Sequence, residues 1–323
     1  MLREVPPRAW RLLPGARRID TVQHQALLRL GRYLRERGYE FVTVTPRTHT
    51  RVNVRAEGER TARPTLRDAF GWSRPFGAGL LPDPLLSSLL GCGLVTAHGE
   101  QLESSVRFSS LDGALYAHSA FPTVQREAVF FGPDTYRFCA FVKRSVASAG
   151  CVVDVGCGSG AGGLSLAGRV GEIVLADISE QALAFAAVNA DLAGVRVTLV
   201  QSDVLQGVEQ RPDLVIANPP YLRDAQSRTY RDGGGRYGEG LALRIASEAL
   251  HRLAAGGRLI LYSGAAIVEG RDTLREALRP TLQRARGPLT YEELDPDVFG
   301  EELQLSFYAG VDRIAAVGLQ AVA

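Results

Sequence analysis

Asn218-Pro219-Pro220-Tyr221 stands where an apolar run, LVIA (214–217), ends. The run is strand-forming, and proline fixes φ and cannot donate to a β-ladder, so the strand must stop at Ala217 or Asn218. The result is a stiff turn that presents an amide, backbone carbonyls and an aromatic ring at a strand end. The Asn218 side-chain oxygen and the Pro219 carbonyl can both accept hydrogen bonds from a group held there. Proline keeps these acceptors rigid, so little reorganisation is needed at reaction. Tyr221 can stack on a flat target. No histidine stands near the motif.

A second constellation lies upstream. VVDVGCGSGAGGLSLAG (152–168) reads as strand, glycine turn and helix. Glycines let the backbone bend sharply and approach a ligand, and the helix start offers free N–H groups to it. Gly158-Ser-Gly160-Ala-Gly-Gly163 satisfies GxGxxG, and Asp177 ends the next strand, in place for a ribose hydroxyl pair. A dinucleotide dehydrogenase would share these features. Two residues pull away from it. Asp154 lies inside the strand before the turn, where a carboxylate can face a cationic group and a pyrophosphate would gain nothing. Asp203 ends the third strand, where it can accept from an adenine amino group. A P-loop is excluded, because that motif needs a lysine and the chain's one lysine, Lys143, is elsewhere. Ser165 in GLSLA lies inside the first helix and reads as a packing hydroxyl, not as a nucleophile elbow.

VVDVGCGSG, LADIS, QSD and LVIANPPYL, in that order and spacing, resemble the class I S-adenosylmethionine (SAM) methyltransferases. Asn-Pro-Pro-Tyr resembles the mark of those that methylate a nitrogen on a planar sp2 centre. Within that group the chain is most similar to the HemK/PrmC protein-glutamine methyltransferases, over roughly residues 120–280. FFGPDTYRF (130–138) occupies the place of the family's proline-rich segment, with Phe131-Gly132 where the family has Pro-Arg. The resemblance implies that Asp154 and the turn Gly156-Cys157-Gly158 with Gly160 hold the methionine part of SAM. It implies Asp177 and Ile178 for the ribose, Asp203 and Val204 for the adenine, and Asn218 beside the reacting methyl. It implies catalysis by Asn218, Pro219, Pro220 and Tyr221, with the Asn218 side-chain oxygen and the Pro219 carbonyl accepting both hydrogens of a planar NH2 group whose delocalised lone pair makes it a poor nucleophile. It implies no strong base, because the proton can leave after transfer. It implies no metal, and S-adenosylhomocysteine as product. The acceptor it implies is a glutamine side chain in a protein. A nucleic-acid base or a small planar amide is the alternative, and a regulator that binds SAM without turnover is the alternative of another class.

Strands alternating with helices from Cys151 onward must position these residues. CVVDV, EIVLADI, VRVTLVQSD, DLVIAN and RLILYSG read as buried strands. Ala161–Arg169, SEQALAFAAVNADLAG and GEGLALRIASEALHRLAAGG read as helices. That rhythm predicts an α/β fold, a doubly wound Rossmann-like parallel sheet. An antiparallel C-terminal hairpin, from TYEELDPDVFGEELQLSFYAGVDRIAAVGLQAVA, closes its edge. The front is a smaller α+β module: a helix over 20–37, an extended stretch over 40–55, a short helix PLLSSLLGCG, and strands over 94–121 with Asp112-Gly113 as a hairpin signal. Helices before a hairpin suggest a winged-helix-like unit, giving domains 1–120 for substrate recognition and 121–323 for chemistry. At the seam, Thr135 or Asp134 can cap a helix, and Arg137 on it can reach a cofactor carboxylate, pack or sit at the surface. YRDGGGRYGEG (230–240) reads as a lid or a loose connection.

The totals agree with a globular chain: 323 residues, 46% apolar and 22% charged. No run approaches a membrane span, and the basic N-terminus lacks the apolar core of a secretory signal. Cys92, Cys139, Cys151 and Cys157 form no metal or disulfide pattern, so reduced thiols in a cytoplasmic protein are expected. Net charge is +2 but uneven: residues 1–63 hold fourteen arginines against six acids, +8. Such a front can meet nucleic acid or another acidic surface, or can simply be a solvated face.

Overall fold

The computed structural model describes residues 21–58 and 64–323. The front begins with α1 (Thr21–Glu36), whose Leu27, Leu30 and Leu34 are buried. It continues through α2 (Pro46–Gly58), α3 (Leu66–Phe70) and α4 (Asp83–Gly91). Two antiparallel hairpins follow, β1 (Val95–His98) with β2 (Gln101–Ser104) and β3 (Val106–Leu111) with β4 (Ala114–Ser119). Asp112 and Gly113, both at positive φ, make the tight turn of the second hairpin, as their types predict.

α2 corrects the extended reading of 40–55. Valine and threonine favour strand on average, but Thr45-Pro46 is a helix start. The Thr45 hydroxyl accepts from the Thr48 N–H at 3.2 Å, and proline at the first helical position has its φ preset. Only the residues before Thr45 remain extended. Much of the basic front, residues 1–20 and 59–63, lies outside the described residues.

The remainder is a three-layer α/β unit. Its elements are α5 (Pro133–Ser145), β5 (Ala149–Val155), α6 (Ala161–Leu164), β6 (Val170–Asp177), α7 (Glu180–Ala193), β7 (Thr198–Gln201) and β8 (Leu214–Ala217). They continue as α8 (Gly240–Arg252), β9 (Arg258–Val268), β10 (Arg271–Asp272), α9 (Thr273–Leu282), β11 (Leu289–Asp295) and β12 (Arg313–Val322). The sheet order is β11-β12-β9-β8-β5-β6-β7, with β10 beside β9. β7, β6, β5, β8 and β9 run parallel, and the hairpin β11–β12 closes one edge antiparallel, as expected. α8 and α9 cover one face through Ile245, Ala249, Leu274 and Leu278. α5, α6 and α7 cover the other through Phe138, Phe141, Leu164 and Leu183. α6 ends at Leu164, short of the expected Arg169: the chain leaves it through turns to Gly168 at φ 81° and enters β6.

The front shares its core with α7. Phe185 and Val188 of α7 sit in one apolar cluster with Leu27, Leu30 and Phe108. Buried Asn189 accepts from the Ala117 N–H at 2.7 Å and donates to the carbonyls of Ala117 and Ser159 at 3.0 and 2.9 Å. One side chain therefore joins β4 of the front to the glycine turn.

Candidate active site

The sheet reverses its strand order between β5 and β8, and ligands of doubly wound sheets bind at the carboxyl ends of the strands at such a point. Val155 and Ala217 are register partners there. The glycine turn leaves β5 and the Asn-Pro-Pro-Tyr turn leaves β8 from adjacent positions. Two motifs more than 60 residues apart in sequence thus open onto one cleft of about 220 Å3. Of the expected site residues, Asp154, Gly156, Cys157, Gly158, Asp177, Ile178, Asp203, Val204 and Asn218 through Tyr221 all line it. Gly160 does not. It stands behind the turn at the start of α6, left-handed at φ 77°.

The two inner carboxylates are held by backbone. Asp154 is 1% exposed, and its Oδ2 accepts from the Gly163 N–H at 2.7 Å. Burial pushes its carboxyl up to about 7, partly offset by that bond. Its other oxygen has no hydrogen bond among the described residues. Asp177 accepts from Gly158 N–H and Ser179 N–H, both at 2.9 Å, one oxygen each. Burial raises its carboxyl too, and the backbone bonds oppose the rise. Ser179, not Asp177, caps α7, accepting from Ala182 N–H. Gly158 needs its glycine, since its φ of 53° lies in the left-handed region.

The outer wall differs. Asp203 lies two residues past the end of β7 and is half-exposed, ion-paired to Arg244 at 2.7 Å. Val204 is buried at φ 54°, a costly backbone for a β-branched residue. The Ser202 hydroxyl donates to the Val204 carbonyl at 2.9 Å and holds it there. Ile178, 57% exposed, offers an apolar surface to the cleft. The Cys157 side chain packs in the core; burial pushes its thiol well above the usual range, so it is a packing group.

Among the described residues neither the Asn218 amide nor the Pro219 carbonyl has a hydrogen-bond partner, and Asn218 is half-buried on the cleft wall. Tyr221 corrects the stacking expectation in part. Its ring is buried against Tyr262 and edge-on to Phe299 at 5.9 Å, leaving little face for a target. Gly264 of β9 makes room for it; a Cβ there would lie 2.2 Å from the ring.

α5 corrects a second expectation. Its cap residue is Gly132, whose N–H donates to the Thr135 hydroxyl, and Pro133 follows. Asp134 turns inward and accepts from the Tyr262 hydroxyl at 2.7 Å. Burial raises its carboxyl against that bond. The Tyr221 hydroxyl lies nearby without a regular hydrogen bond. Arg137 is held by Asp295 at 2.7 Å and Asp134 at 3.4 Å, and does not line the cleft. The 230–240 loop is tied down. Glu239 accepts from the Arg236 and Tyr237 N–H groups, and Gly238, at φ 109°, passes so close to the Tyr221 carbonyl that a Cβ would lie 2.2 Å from it.

Sequence reasoning missed the mouth of the cleft. Phe130 and Tyr230, a hundred residues apart, face each other with nearly parallel rings, 9° between planes and 6.3 Å between centroids. The Tyr230 hydroxyl donates to the Thr123 carbonyl, and Thr229 donates to that of Arg126. Phe299, in the left-handed region, and Pro46 of α2 complete this end. No local pattern announces them; only the aromatic within the glycine-rich YRDGGGRYGEG hints at it.

Residues 140–286 match the family described as Methyltransferase small domain. That stretch, somewhat less than half of the chain, is similar to the HemK-like class I methyltransferases. It is 33% identical over 157 residues to a release factor glutamine methyltransferase of Deinococcus radiodurans, covering 47% of this chain and 55% of that one. It is 31% identical over 126 residues to one of Lactococcus lactis, covering 35% and 47%. The chain thus spans about half the length of these curated relatives. Among solved structures, a Methanocaldococcus jannaschii tRNA m1G37 methyltransferase aligns with TM-score 0.48 at 15% identity, covering 68% of this chain and 59% of that one. A Thermus thermophilus 16S rRNA N2 G1207 methyltransferase aligns with TM-score 0.44 at 18% identity, covering 71% and 57%.

Among the described residues no group of histidine, cysteine and carboxylate side chains could hold a metal, and no helix is long and apolar enough to cross a membrane.

Proposed function

We propose that this chain transfers a methyl group from SAM to a planar nitrogen, first of all the side-chain amide of a glutamine in a protein. The observation that carries the reading is the Asn218 amide and Pro219 carbonyl, without hydrogen-bond partners among the described residues, on a cleft continuous with the glycine turn.

The site fits the cofactor. Among the described residues Asp154 has one oxygen without a hydrogen bond and no ion-pair partner, and its raised carboxyl would be stabilised as the anion by an ammonium group. Asp177 keeps lone pairs for ribose hydroxyls beyond its two backbone bonds, and Ile178 and Val204 offer apolar surface for the base. When bound, the cofactor supplies an electrophilic methyl on a sulfonium.

The chain's own residues do the rest. Asn218 Oδ1 and the Pro219 carbonyl accept the two N–H groups of the target, and the prolines hold both acceptors in place before it arrives. Holding both hydrogens bends the nitrogen toward a pyramid and frees its lone pair. Positioning of this kind can supply up to ~7–11 kcal/mol of the barrier. The surplus proton leaves the methylated nitrogen afterwards, to water or the acceptor carbonyls. Phe299, Phe130 and Tyr230 give the cleft apolar, aromatic walls.

The names of the curated relatives support glutamine as the acceptor. The front elements, packed on α7, are the part we assign to substrate selection. Incubation with methyl-labelled SAM and cell extract tests the reading. Label in protein, at N5-methylglutamine, is expected. Label in neither protein nor nucleic acid, from a chain that binds SAM, overturns it in favour of a SAM-binding regulator.

A further inference from the structure

α2 carries an arginine row. Arg47, Arg51 and Arg55 recur every four residues, so they lie along one face of the helix about 6 Å apart. All three are exposed, and among the described residues none has an ion-pair or hydrogen-bond partner. The opposite face is fixed. His49 is fully buried and its Nε2 donates to the Trp72 carbonyl at 2.8 Å. Asn53 donates to the same carbonyl at 3.0 Å and accepts from Arg74 at 2.9 Å. His49 is neutral at physiological pH, its pKa lowered to about 4 by burial and by Arg107. The helix is therefore a pinned platform whose free face is cationic.

The row starts at the active site. Pro46, the first residue of α2, lines the cleft, and Arg47 follows it. Arg126, also exposed, lies on the segment whose Glu127 to Phe130 form the same mouth. Glu127 is the carboxylate there. The mouth itself is walled by the parallel rings of Phe130 and Tyr230.

We propose that the outer face of α2 docks the phosphate backbone of single-stranded RNA, led toward the mouth of the acceptor cleft. A stripe of regularly spaced, exposed guanidinium groups suits a polyanion with regularly spaced charges. Flat aromatic walls beside it suit unstacked bases, which single strands present and duplexes do not. An acidic protein surface would find charge on α2 but no use for the parallel rings.

Binding is measured without cofactor, so this inference and the methyl-transfer reading fail separately. Fluorescence anisotropy of a labelled single-stranded RNA 12-mer, titrated with the full chain at several salt concentrations, is compared with the variant Arg47→Gln/Arg51→Gln/Arg55→Gln. The expected result is at least a tenfold weaker Kd in the variant near 0.1 M salt. Its log–log salt slope should be shallower by about 2, since each lost phosphate contact on a single strand removes about 0.7. Thermal stability and SAM affinity should not move, because among the described residues the three side chains make no hydrogen bond or ion pair. Equal binding by parent and variant, or none by the parent, overturns the proposal. So does tighter binding of a duplex DNA of the same length. Displacement of the RNA by polyglutamate at matched charge concentration overturns it too, and would make α2 a protein-docking face.

Discussion

The two ends of the cleft are built on opposite principles. At the glycine turn, Asp154 and Asp177 are already engaged by backbone N–H groups of the loops they support. Those carboxylates hold the turn in shape as well as facing the cleft. At the other end, Asn218 and Pro219 have no hydrogen-bond partner for their acceptors among the described residues, and rigidity comes from the prolines and from the buried ring of Tyr221 below. A group that serves both scaffold and ligand cannot be altered without disturbing the fold. A group held in place by its neighbours can be changed with the fold intact. The acceptor end should therefore show large losses of rate with little loss of stability, and the turn should show both together.

The sharpest way to break that contrast is Asn218→Ala. Turnover should fall by at least ~100-fold, the scale seen when one preorganised donor or acceptor is removed at a reacting centre. SAM affinity by calorimetry should stay within about tenfold, and the melting temperature should barely move. Retained turnover would remove Asn218 from the chemistry and leave the turn as a structural stop.

Asp154→Asn probes the other end. In the folded chain its carboxyl sits near 7, above the ~3.9 of an unfolded aspartate. Between those values the native state holds a proton that the unfolded chain has lost, so this group's contribution to stability declines as pH rises from about 4 to 7. Denaturation of parent and variant across that window should show the parent losing ground relative to Asn. SAM affinity of the parent should rise as pH passes through 7, because the ligand's ammonium needs the carboxylate, and the variant should show no such rise. A parallel pH dependence in both proteins would place the titrating group elsewhere.

How much of this was legible in the sequence follows from how local each signal is. The glycine turn and Asn218–Tyr221 depend on neighbours in sequence, and both were readable, as were the strands that carry them. Thr45-Pro46 is a local signal too, but the valine and threonine content of 40–55 points the other way, toward extended chain, and only the cap and the packing of His49 and Asn53 decide for the helix. Asp134 was read as a cap because the side chain that receives it, Tyr262, comes 128 residues later. The parallel pair Phe130 and Tyr230 exists only once β8 has carried residue 230 back to the start of α5, and no spacing encodes that. Tyr221 looked free to stack because Gly264, which opens a slot for its ring, is a strand residue with no pattern of its own.

Below the acceptor turn the contrast can be sharpened at smaller scale. Tyr262→Phe removes the donor to Asp134 and leaves a buried carboxyl short of a partner. A loss of about 1–3 kcal/mol in chemical denaturation is expected. A modest drop in turnover should accompany it, through the packing of Tyr221 against Tyr262. Unchanged stability would mean that Asp134 rests on Arg137 alone.

The smallest effect should come from Arg137→Gln, and it decides between two roles that the sequence left open. The guanidinium is 37% exposed and pairs with Asp295 of the closing hairpin and, at longer range, with Asp134. An ion pair this open to water contributes ~0.2–1 kcal/mol, because solvent screens it and two long side chains must be ordered to form it. Denaturation should therefore show a loss below about 1 kcal/mol, diminishing at high salt. SAM affinity should change by less than threefold, since the side chain faces the hairpin and not the cleft. A loss of thirtyfold or more in that affinity would mean that Arg137 leaves Asp295 to meet the cofactor's carboxylate. The saturated end of the cleft would then contain one group that is exchanged between scaffold and ligand.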